Sequence, residues 1–130
     1  MEYVAFSELH LPGVLRLCEA EGWPSLPDDP ARAARALTGP GVITVVAIDD
    51  GDVVGFARML TDGESQAYLC EMAVATAARG HGIGRKLIEH AFARSGAQRV
   101  DLLALEESDD FYRAFRHRTM PGYRIYPGCA

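Results

Sequence analysis

The sequence lacks the features that mark several special classes of protein. Its three cysteines, Cys18, Cys70 and Cys129, are widely spaced and form no C-x-x-C pair, which argues against a disulfide framework or a cysteine-ligated metal. No apolar run approaches the roughly 20 residues that a membrane-spanning helix needs. The first residues, Met1 to Val4, include an acid and lack the pattern of a signal peptide. We therefore expect reduced thiols, no metal and no membrane association in a cytoplasmic protein.

Excess positive charge is missing as well. The chain has 13 Lys and Arg residues against 18 Asp and Glu, a net charge of −5 and an isoelectric point near 5.3. The basic surface of a nucleic-acid-binding protein is therefore not expected, and the acidic surface mildly favours a cationic substrate. The length of 130 residues, with 48% hydrophobic and 24% charged residues, is typical of one globular domain, here 1–130.

The pattern of apolar residues and turn signals predicts a mixture of strands and helices. Strands are predicted where β-branched and apolar residues run between turns, and helices where apolar residues recur at a spacing of three or four. The predicted strands are 1–6, 42–48, 53–60, 66–74, 100–105 and 120–127. The predicted helices run from about 11 to Gly22, from an Asp29 N-cap through Leu37, from Ile83 to Gly96, and over about 108–115, capped by Ser108 or Asp109.

The most informative segment is the glycine-rich turn Arg79-Gly80-His81-Gly82-Ile83-Gly84, which joins a predicted strand to a predicted helix. Glycines at alternate positions let the backbone approach a ligand without interference from a Cβ atom. The helix that follows directs its free N–H groups and the positive end of its dipole at the turn, an arrangement that binds phosphate through the main chain. Arg85 and Lys86 stand in the first helical turn, where the dipole disfavours cations. Their presence there independently indicates an anionic ligand.

Two common phosphate-binding motifs do not fit this turn. A loop that binds nucleoside triphosphates has Lys and then Ser or Thr directly after its last glycine, but Arg85 and Lys86 follow Gly84. The dinucleotide fingerprint G-x-G-x-x-G would need glycine at position 85 or 87, where Arg85 and Leu87 stand. The pattern that remains is Arg-x-x-Gly-x-Gly at 79–84, preceded by the apolar strand 69–74.

This combination resembles the GCN5-related N-acetyltransferase (GNAT) superfamily, whose acetyl-CoA pyrophosphate loop has this form at the same strand-to-helix junction. The predicted order of elements also resembles the family along nearly the whole chain. The resemblance implies an α/β (α+β) fold with a central mixed, mostly antiparallel sheet of six to seven strands, about four flanking helices and a splayed strand pair at the acetyl-CoA site. It implies an acyltransferase that transfers acetyl directly, through a tetrahedral intermediate, from acetyl-CoA to a primary amine of a small molecule.

The resemblance also implies which residues bind the coenzyme. In the family, the strand before the loop is splayed from its neighbour, and its free main-chain groups pair with the pantetheine arm. Met72 and Val74 would supply those groups, with the Met72 N–H as the donor to the oxyanion, and the loop would surround the pyrophosphate. His81 fits a solvent-facing loop position better than a catalytic one. The coenzyme-binding residues expected by motif are Met72, Ala73, Val74, Arg79, Gly80, His81, Gly82, Ile83, Gly84 and Arg85.

Tyr112 and Glu71 are the candidate catalytic residues. In the family, a Phe-Tyr pair begins the helix after the fifth strand and the tyrosine hydroxyl faces the coenzyme sulfur, which implies that role for Tyr112. A phenol with a pKa of about 10 stays protonated at neutral pH and can donate its proton to a thiolate. Glu71 is the one carboxylate side chain in its strand, and it points away from Met72 because adjacent strand residues face opposite ways. It is either the base, through a water, or a carboxylate that lies at the sheet edge or binds the substrate.

The C-terminal part departs from the family pattern. Glu106-Glu107 stands where the family usually has Asn, and the usual Gly-Phe after the tyrosine helix is replaced around Arg116-His117. These departures favour one alternative function, a non-catalytic acyl-CoA-binding regulatory module. A further alternative, independent of them, is an acetyltransferase of protein lysines or N-termini. The C-terminal segment completes either its own sheet or that of a partner in a homodimer.

The acceptor site is the part that the sequence specifies least. In this fold, the first two helices, their connection and the C-terminal segment supply its walls. These segments carry the aromatic residues Trp23, Tyr123 and Tyr126 and the acidic residues Glu21, Asp28 and Asp29. Aromatic rings near carboxylates suit an ammonium group, so a cationic small amine is the expected acceptor.

Overall fold

The computed structural model describes residues 1–23 and 26–128. Its strands are β1 (Glu2–Ala5), β2 (Val42–Asp49), β3 (Asp52–Thr61), β4 (Gln66–Val74) and β5 (Arg99–Asp101), and its helices are α1 (Leu11–Ala20), α2 (Pro30–Thr38), α3 (Ile83–Ser95) and α4 (Asp109–Arg113). The predicted N-cap of α2 is confirmed, since the Asp29 carboxylate accepts a hydrogen bond from the Arg32 N–H at 3.1 Å. No helix in the described part of the chain has the length and apolar character needed to cross a membrane.

The strands form one mixed sheet in the order β1-β2-β3-β4-β5. Neighbouring strands from β1 to β4 are antiparallel, and β4 and β5 are parallel. A parallel pair needs a long crossover connection, which α3 and its flanking loops provide. The prediction of a mixed, mostly antiparallel sheet is confirmed.

Helices cover both faces of the sheet. On one face, α1 and α2 bury a core that includes Val14, Cys18, Leu37 and Phe56. On the other face, α3 buries a second core that includes Val45, Met59, Leu69 and Leu87. The His90 ring on α3 also stacks on the Tyr3 ring of β1, with 4.8 Å between ring centroids. Since α3 is held across several strands, its N-terminus has a fixed position relative to β4.

The parallel strands β4 and β5 separate soon after they pair. Gln66 to Tyr68 pairs with Arg99 to Asp101, and there the pairing ends. On its other side, β4 stays paired with β3 as far as Val74. The edge of β4 that faces away from β3 is therefore open beyond Tyr68, and the predicted splayed strand pair is confirmed.

The chain after α4 differs from the prediction. All residues from 116 to 128 are exposed and have no regular secondary structure. The described residues therefore contain five strands, so the expectation of six to seven is too high and the predicted strand 120–127 is wrong. Pro121 and Pro127 have no N–H to donate to a neighbouring strand. The predicted strand 100–105 is reduced to Arg99–Asp101, which leaves only a short edge for pairing.

Candidate active site

A cavity of about 560 Å³ lies where β4, the glycine turn, α3 and α4 meet. Its lining brings together nine of the ten residues predicted to bind the coenzyme, namely Met72, Ala73, Val74, Arg79, Gly80, Gly82, Ile83, Gly84 and Arg85. The other walls are formed by Glu21, Trp23, Ala78, Leu105, Glu107, Ser108, Phe111, Ala114 and Phe115. We refer to this space as the first cavity.

The backbone at the start of α3 presents N–H groups to the first cavity. Gly80 and Gly82 have φ angles of 82° and 79°, in the left-handed region that favours glycine. Gly82 is the N-cap of α3, and its carbonyl accepts a hydrogen bond from the Lys86 N–H at 3.2 Å. The N–H groups of Ile83 and Gly84, like others in the first turn of a helix, have no intrahelical acceptor, and the positive end of the dipole lies beside them. This geometry suits a bound phosphate group.

Gly84 allows α3 and α4 to approach each other closely beside the cavity. A Cβ atom at this position would lie 3.1 Å from Cζ of Phe111 and 3.3 Å from Cε of Met72. Both distances are shorter than ordinary van der Waals contact, so a side chain here would have to displace Phe111 and Met72. The glycine therefore preserves the shape of the first cavity.

A β-bulge in β4 determines which side chains face α3. The register between β3 and β4 shifts so that Cys70 is the extra residue. Leu69 before the bulge and Met72 and Val74 after it all pack on the α3 side, so the alternation of side chains changes phase at this point. Glu71 consequently faces α1 and α2, away from Met72 as predicted.

Glu71 forms a bidentate ion pair with Arg58 of β3. The two hydrogen bonds are 2.6 Å from Arg58 Nε and 2.8 Å from Nη2, and both side chains are mostly buried. The hydrogen bond to Glu71 is the main reason that the pKa of Arg58 is raised. Glu71 is outside the lining that the described residues give to the first cavity. Its roles as base or substrate-binding carboxylate stay predictions, and either role would compete with this ion pair.

Arg79 connects three parts of the first cavity. Its Nε donates to the Val74 carbonyl at 3.0 Å, and its Nη2 donates to Oε1 of Glu21 at 2.5 Å. The side chain of Arg79 is 53% exposed and that of Glu21 is 29% exposed. The guanidinium group thus joins the glycine turn to the end of β4 and to the residue that follows α1.

The other two polar residues of the turn have different surroundings. Nδ1 of His81 lies 3.0 Å from the Arg79 carbonyl oxygen, and His81 is exposed and is the one predicted coenzyme-binding residue outside the described lining. Arg85 donates from Nη2 to the Ala114 carbonyl at 3.2 Å, and its guanidinium lies over the Phe115 ring at 3.9 Å. Arg85 therefore holds α3 against the chain that follows α4.

The two hydroxyl-bearing residues Tyr112 and Ser108 line two different cavities. Phe111 lines the first cavity, whereas Tyr112 lines a second cavity of about 1170 Å³ between α3, β5 and the C-terminal segment. Burial raises the pKa of the Tyr112 phenol, which keeps its hydroxyl protonated at neutral pH. Ser108 lines the first cavity, and in the described structure its side chain makes no capping hydrogen bond to α4. From the sequence alone, Ser108 is predicted only to cap a helix, because capping is the usual role of serine before a helix.

The Acetyltransferase (GNAT) domain family matches residues 40–115, which is more than half of the chain. The chain belongs to this GNAT acetyltransferase family. The match runs from the residues before β2 to the end of the α4 region and includes the whole glycine turn. Of the described residues that line the first cavity, only Glu21 and Trp23 lie outside the matched range.

Comparison with individual proteins gives one curated relative and several solved structures. Mycothiol acetyltransferase of Nocardia farcinica (strain IFM 10152) is 36% identical over 67 residues, which are 51% of this chain and 22% of that protein. The chain thus spans about a fifth of the curated relative's length. The structure of aminoglycoside 6'-N-acetyltransferase from Acinetobacter haemolyticus has a TM-score of 0.81 at 16% identity and covers 97% of each chain. An aminoglycoside N-acetyltransferase in complex with CoA has a TM-score of 0.78 at 19% identity, over 96% of this chain and 92% of that one. At these identities, the two structures show the shared fold.

Proposed function

We propose that this protein is an acetyl-CoA-dependent N-acetyltransferase that acts on a small primary amine. The observation that carries the proposal is the first cavity, where the open edge of β4, the glycine turn and the N-terminus of α3 meet. Membership of the family supports the class of reaction. The structural neighbour that binds CoA supports the identity of the coenzyme.

The residues of the first cavity offer groups that suit two polar parts of coenzyme A, its pyrophosphate and its pantetheine arm. The N–H groups at the start of α3 would bind the pyrophosphate, and the guanidinium groups of Arg79 and Arg85 would add positive charge. The open edge of β4 offers main-chain groups at Met72 and Val74 to the amide-bearing pantetheine arm. The Met72 N–H would then be the donor to the oxygen on which negative charge develops.

Acetyl transfer forms an N–C bond and breaks the thioester C–S bond. The amine loses one proton and the departing thiolate gains one, so the reaction uses a base and an acid. Two hydroxyl groups are candidates for the acid, Tyr112 from the family motif and Ser108 from its position in the first cavity. Glu71 is the candidate for the base, through a water.

A non-catalytic acyl-CoA-binding role is the second candidate function. It is favoured by the position of Tyr112 in the lining of the second cavity and by the ion pair that holds Glu71 on Arg58. In that case the chain would keep the coenzyme-binding loop and lack a working acid and base.

Release of free thiol from acetyl-CoA distinguishes the two functions. It should be measured across polyamines, amino sugars and aryl-alkylamines, with the Gly82→Trp variant as a control for reaction outside the cavity. Turnover with any of these amines that depends on Gly82 supports the enzyme, and tight CoA binding without turnover supports the binding role. We expect the best substrates to be cationic. A panel in which the best substrates are all anionic would contradict that expectation.

A further inference from the structure

An ion pair stands inside the first cavity, where an anionic coenzyme and a cationic amine would meet. Arg79 donates a hydrogen bond to Glu21. Trp23, two residues after Glu21 in the chain, lines the same cavity. We propose that the pyrophosphate of the coenzyme takes Arg79 away from Glu21 and that the released Glu21 carboxylate then binds a cationic group of the acceptor beside Trp23. This proposal rests on the proposed acetyl-CoA-binding function, which it deepens by giving the acceptor a binding site and the two ligands an order.

The exchange follows from the charges in the cavity. A carboxylate near a pyrophosphate site repels the ligand unless a cation compensates it, and Arg79 is that cation in the structure. Guanidinium groups form strong charge-assisted hydrogen bonds with phosphate oxygens, and a pyrophosphate carries more negative charge than one carboxylate. The side chains of this ion pair are 53% and 29% exposed, so the pair contributes little stability and its partners can be exchanged at low cost.

A second contact of Arg79 links the exchange to the open edge of β4. The same guanidinium donates a hydrogen bond from Nε to the Val74 carbonyl oxygen at 3.0 Å. Movement of Arg79 towards the pyrophosphate would therefore free a main-chain acceptor at the predicted pantetheine site and the Glu21 carboxylate at the same time. Coenzyme binding would thus prepare both halves of the cavity.

The charge on Glu21 also specifies the acceptor more closely. A protonated amine bound to a carboxylate has no lone pair with which to attack a thioester. The group that Glu21 binds is therefore a second cationic group, separate from the nitrogen that receives the acetyl group. The Trp23 ring adds a surface of the kind that cations bind. The acceptor class is thus a diamine, a polyamine or an amino sugar with more than one amino group.

Calorimetric titration of coenzyme A tests the exchange. Glu21→Gln should bind coenzyme A about two- to five-fold more tightly than the wild type, because the variant has no carboxylate that competes with the pyrophosphate for Arg79. The expected factor is small because an exposed ion pair contributes little free energy. Pantetheine, which lacks the pyrophosphate, should bind both proteins equally. In an Arg79→Gln background, the Glu21→Gln change should have no effect on the affinity for coenzyme A. Glu107→Gln removes another carboxylate from the lining of the same cavity. It therefore measures how much the loss of one negative charge by itself changes the affinity for coenzyme A.

Three results would overturn the exchange. They are an unchanged or weaker affinity of Glu21→Gln for coenzyme A, a gain no larger than that of Glu107→Gln, and a gain that persists without Arg79. Failure of the wild type to bind millimolar coenzyme A is a different outcome, since it would contradict the proposed function itself.

The acceptor site is tested with 1,4-diaminobutane, with butylamine as the control that has a single amino group. Saturating coenzyme A should increase the affinity of the wild type for diaminobutane, and diaminobutane should increase the affinity for coenzyme A by the same factor. Glu21→Gln should lose this coupling, and butylamine should show little of it. Diaminobutane that binds equally with and without coenzyme A, or that does not bind the complex, would overturn this part of the proposal.

Discussion

Tyr112 and Ser108 are the two residues to test as the proton donor. Tyr112→Phe should lower turnover by ~10²–10⁴, the usual contribution of a general acid, with little change in affinity for acetyl-CoA. Because burial raises the pKa of Tyr112 above its ordinary value of 10.0, activity that needs the protonated phenol should fall only above pH 10. Thiol release and calorimetric titration measure the two quantities. Full activity in Tyr112→Phe together with a loss of turnover in Ser108→Ala would identify Ser108, and not Tyr112, as the proton donor.

Glu71 is the residue whose catalytic and structural roles conflict most directly. Glu71→Gln removes the charged partner of Arg58, which is mostly buried, and should lower the free energy of unfolding by about 1–3 kcal/mol. If Glu71 is the base, the same variant should also flatten the acidic limb of the pH–rate profile. An unchanged profile with a higher KM for the amine would assign it to substrate binding. Lower stability with unchanged kinetics would contradict both predicted roles.

Single residues could be assigned from sequence where a local motif carried the information. The glycines, Arg79 and Arg85 stand in one continuous segment, so their convergence on one cavity follows from a strand, a turn and a helix. The ion pairs could not be predicted, because Arg58 and Glu71 are 13 residues apart and Arg79 and Glu21 are 58 apart. Such pairs are formed only when the strands and helices pack.

At the level of elements, the turn before α3 has a matched control in the turn between β2 and β3. Gly82 and Gly51 have φ angles of 79° and 84°, and a Cβ atom at either position would have no neighbour within 4 Å. Alanine at each should therefore cost about the same stability, about 1–2 kcal/mol for a left-handed residue. Only Gly82→Ala should weaken the binding of coenzyme A, as measured by calorimetry. Equal affinity in the two variants would contradict a role for the turn backbone.

The elements that sequence reasoning placed well are those with strong periodicity or clear turn signals. The β2–β3 hairpin follows from Asp50-Gly51, and α3 follows from its apolar stripe and from Gly96, which ends it with a φ of 71°. The bulge at Cys70 was missed, because one extra residue in a strand depends on the partner strand. The end of β5 at Asp101 and the absence of a sixth strand from the described residues could not be predicted for a similar reason. An apolar sequence does not show whether an edge is available for pairing.

At the level of the whole molecule, the buried thiol of Cys18 makes stability depend on alkaline pH. Burial, with a smaller contribution from Glu71, raises the pKa of Cys18 from 9.0 to about 11. Between these values the unfolded chain loses the thiol proton and the folded protein keeps it, so the free energy of unfolding should fall as pH rises, by up to about 2–3 kcal/mol. Denaturant unfolding from pH 8 to 11 measures this. In Cys18→Ala, the free energy of unfolding should fall less steeply as pH rises. An identical fall in the variant would contradict the assignment of this pH dependence to Cys18.

Binding of acetyl-CoA to the first cavity should stabilise the whole folded protein, because the unfolded chain has no such cavity. The most direct measurement is the unfolding free energy of the wild type as a function of acetyl-CoA concentration, with Gly82→Trp as the variant that blocks the turn and Gly51→Trp as its control. We predict that acetyl-CoA at 100 times its Kd stabilises the wild type and Gly51→Trp by about 2.7 kcal/mol, and that it does not stabilise Gly82→Trp. No stabilisation of the wild type at millimolar acetyl-CoA, or equal stabilisation of all three proteins, would contradict the account.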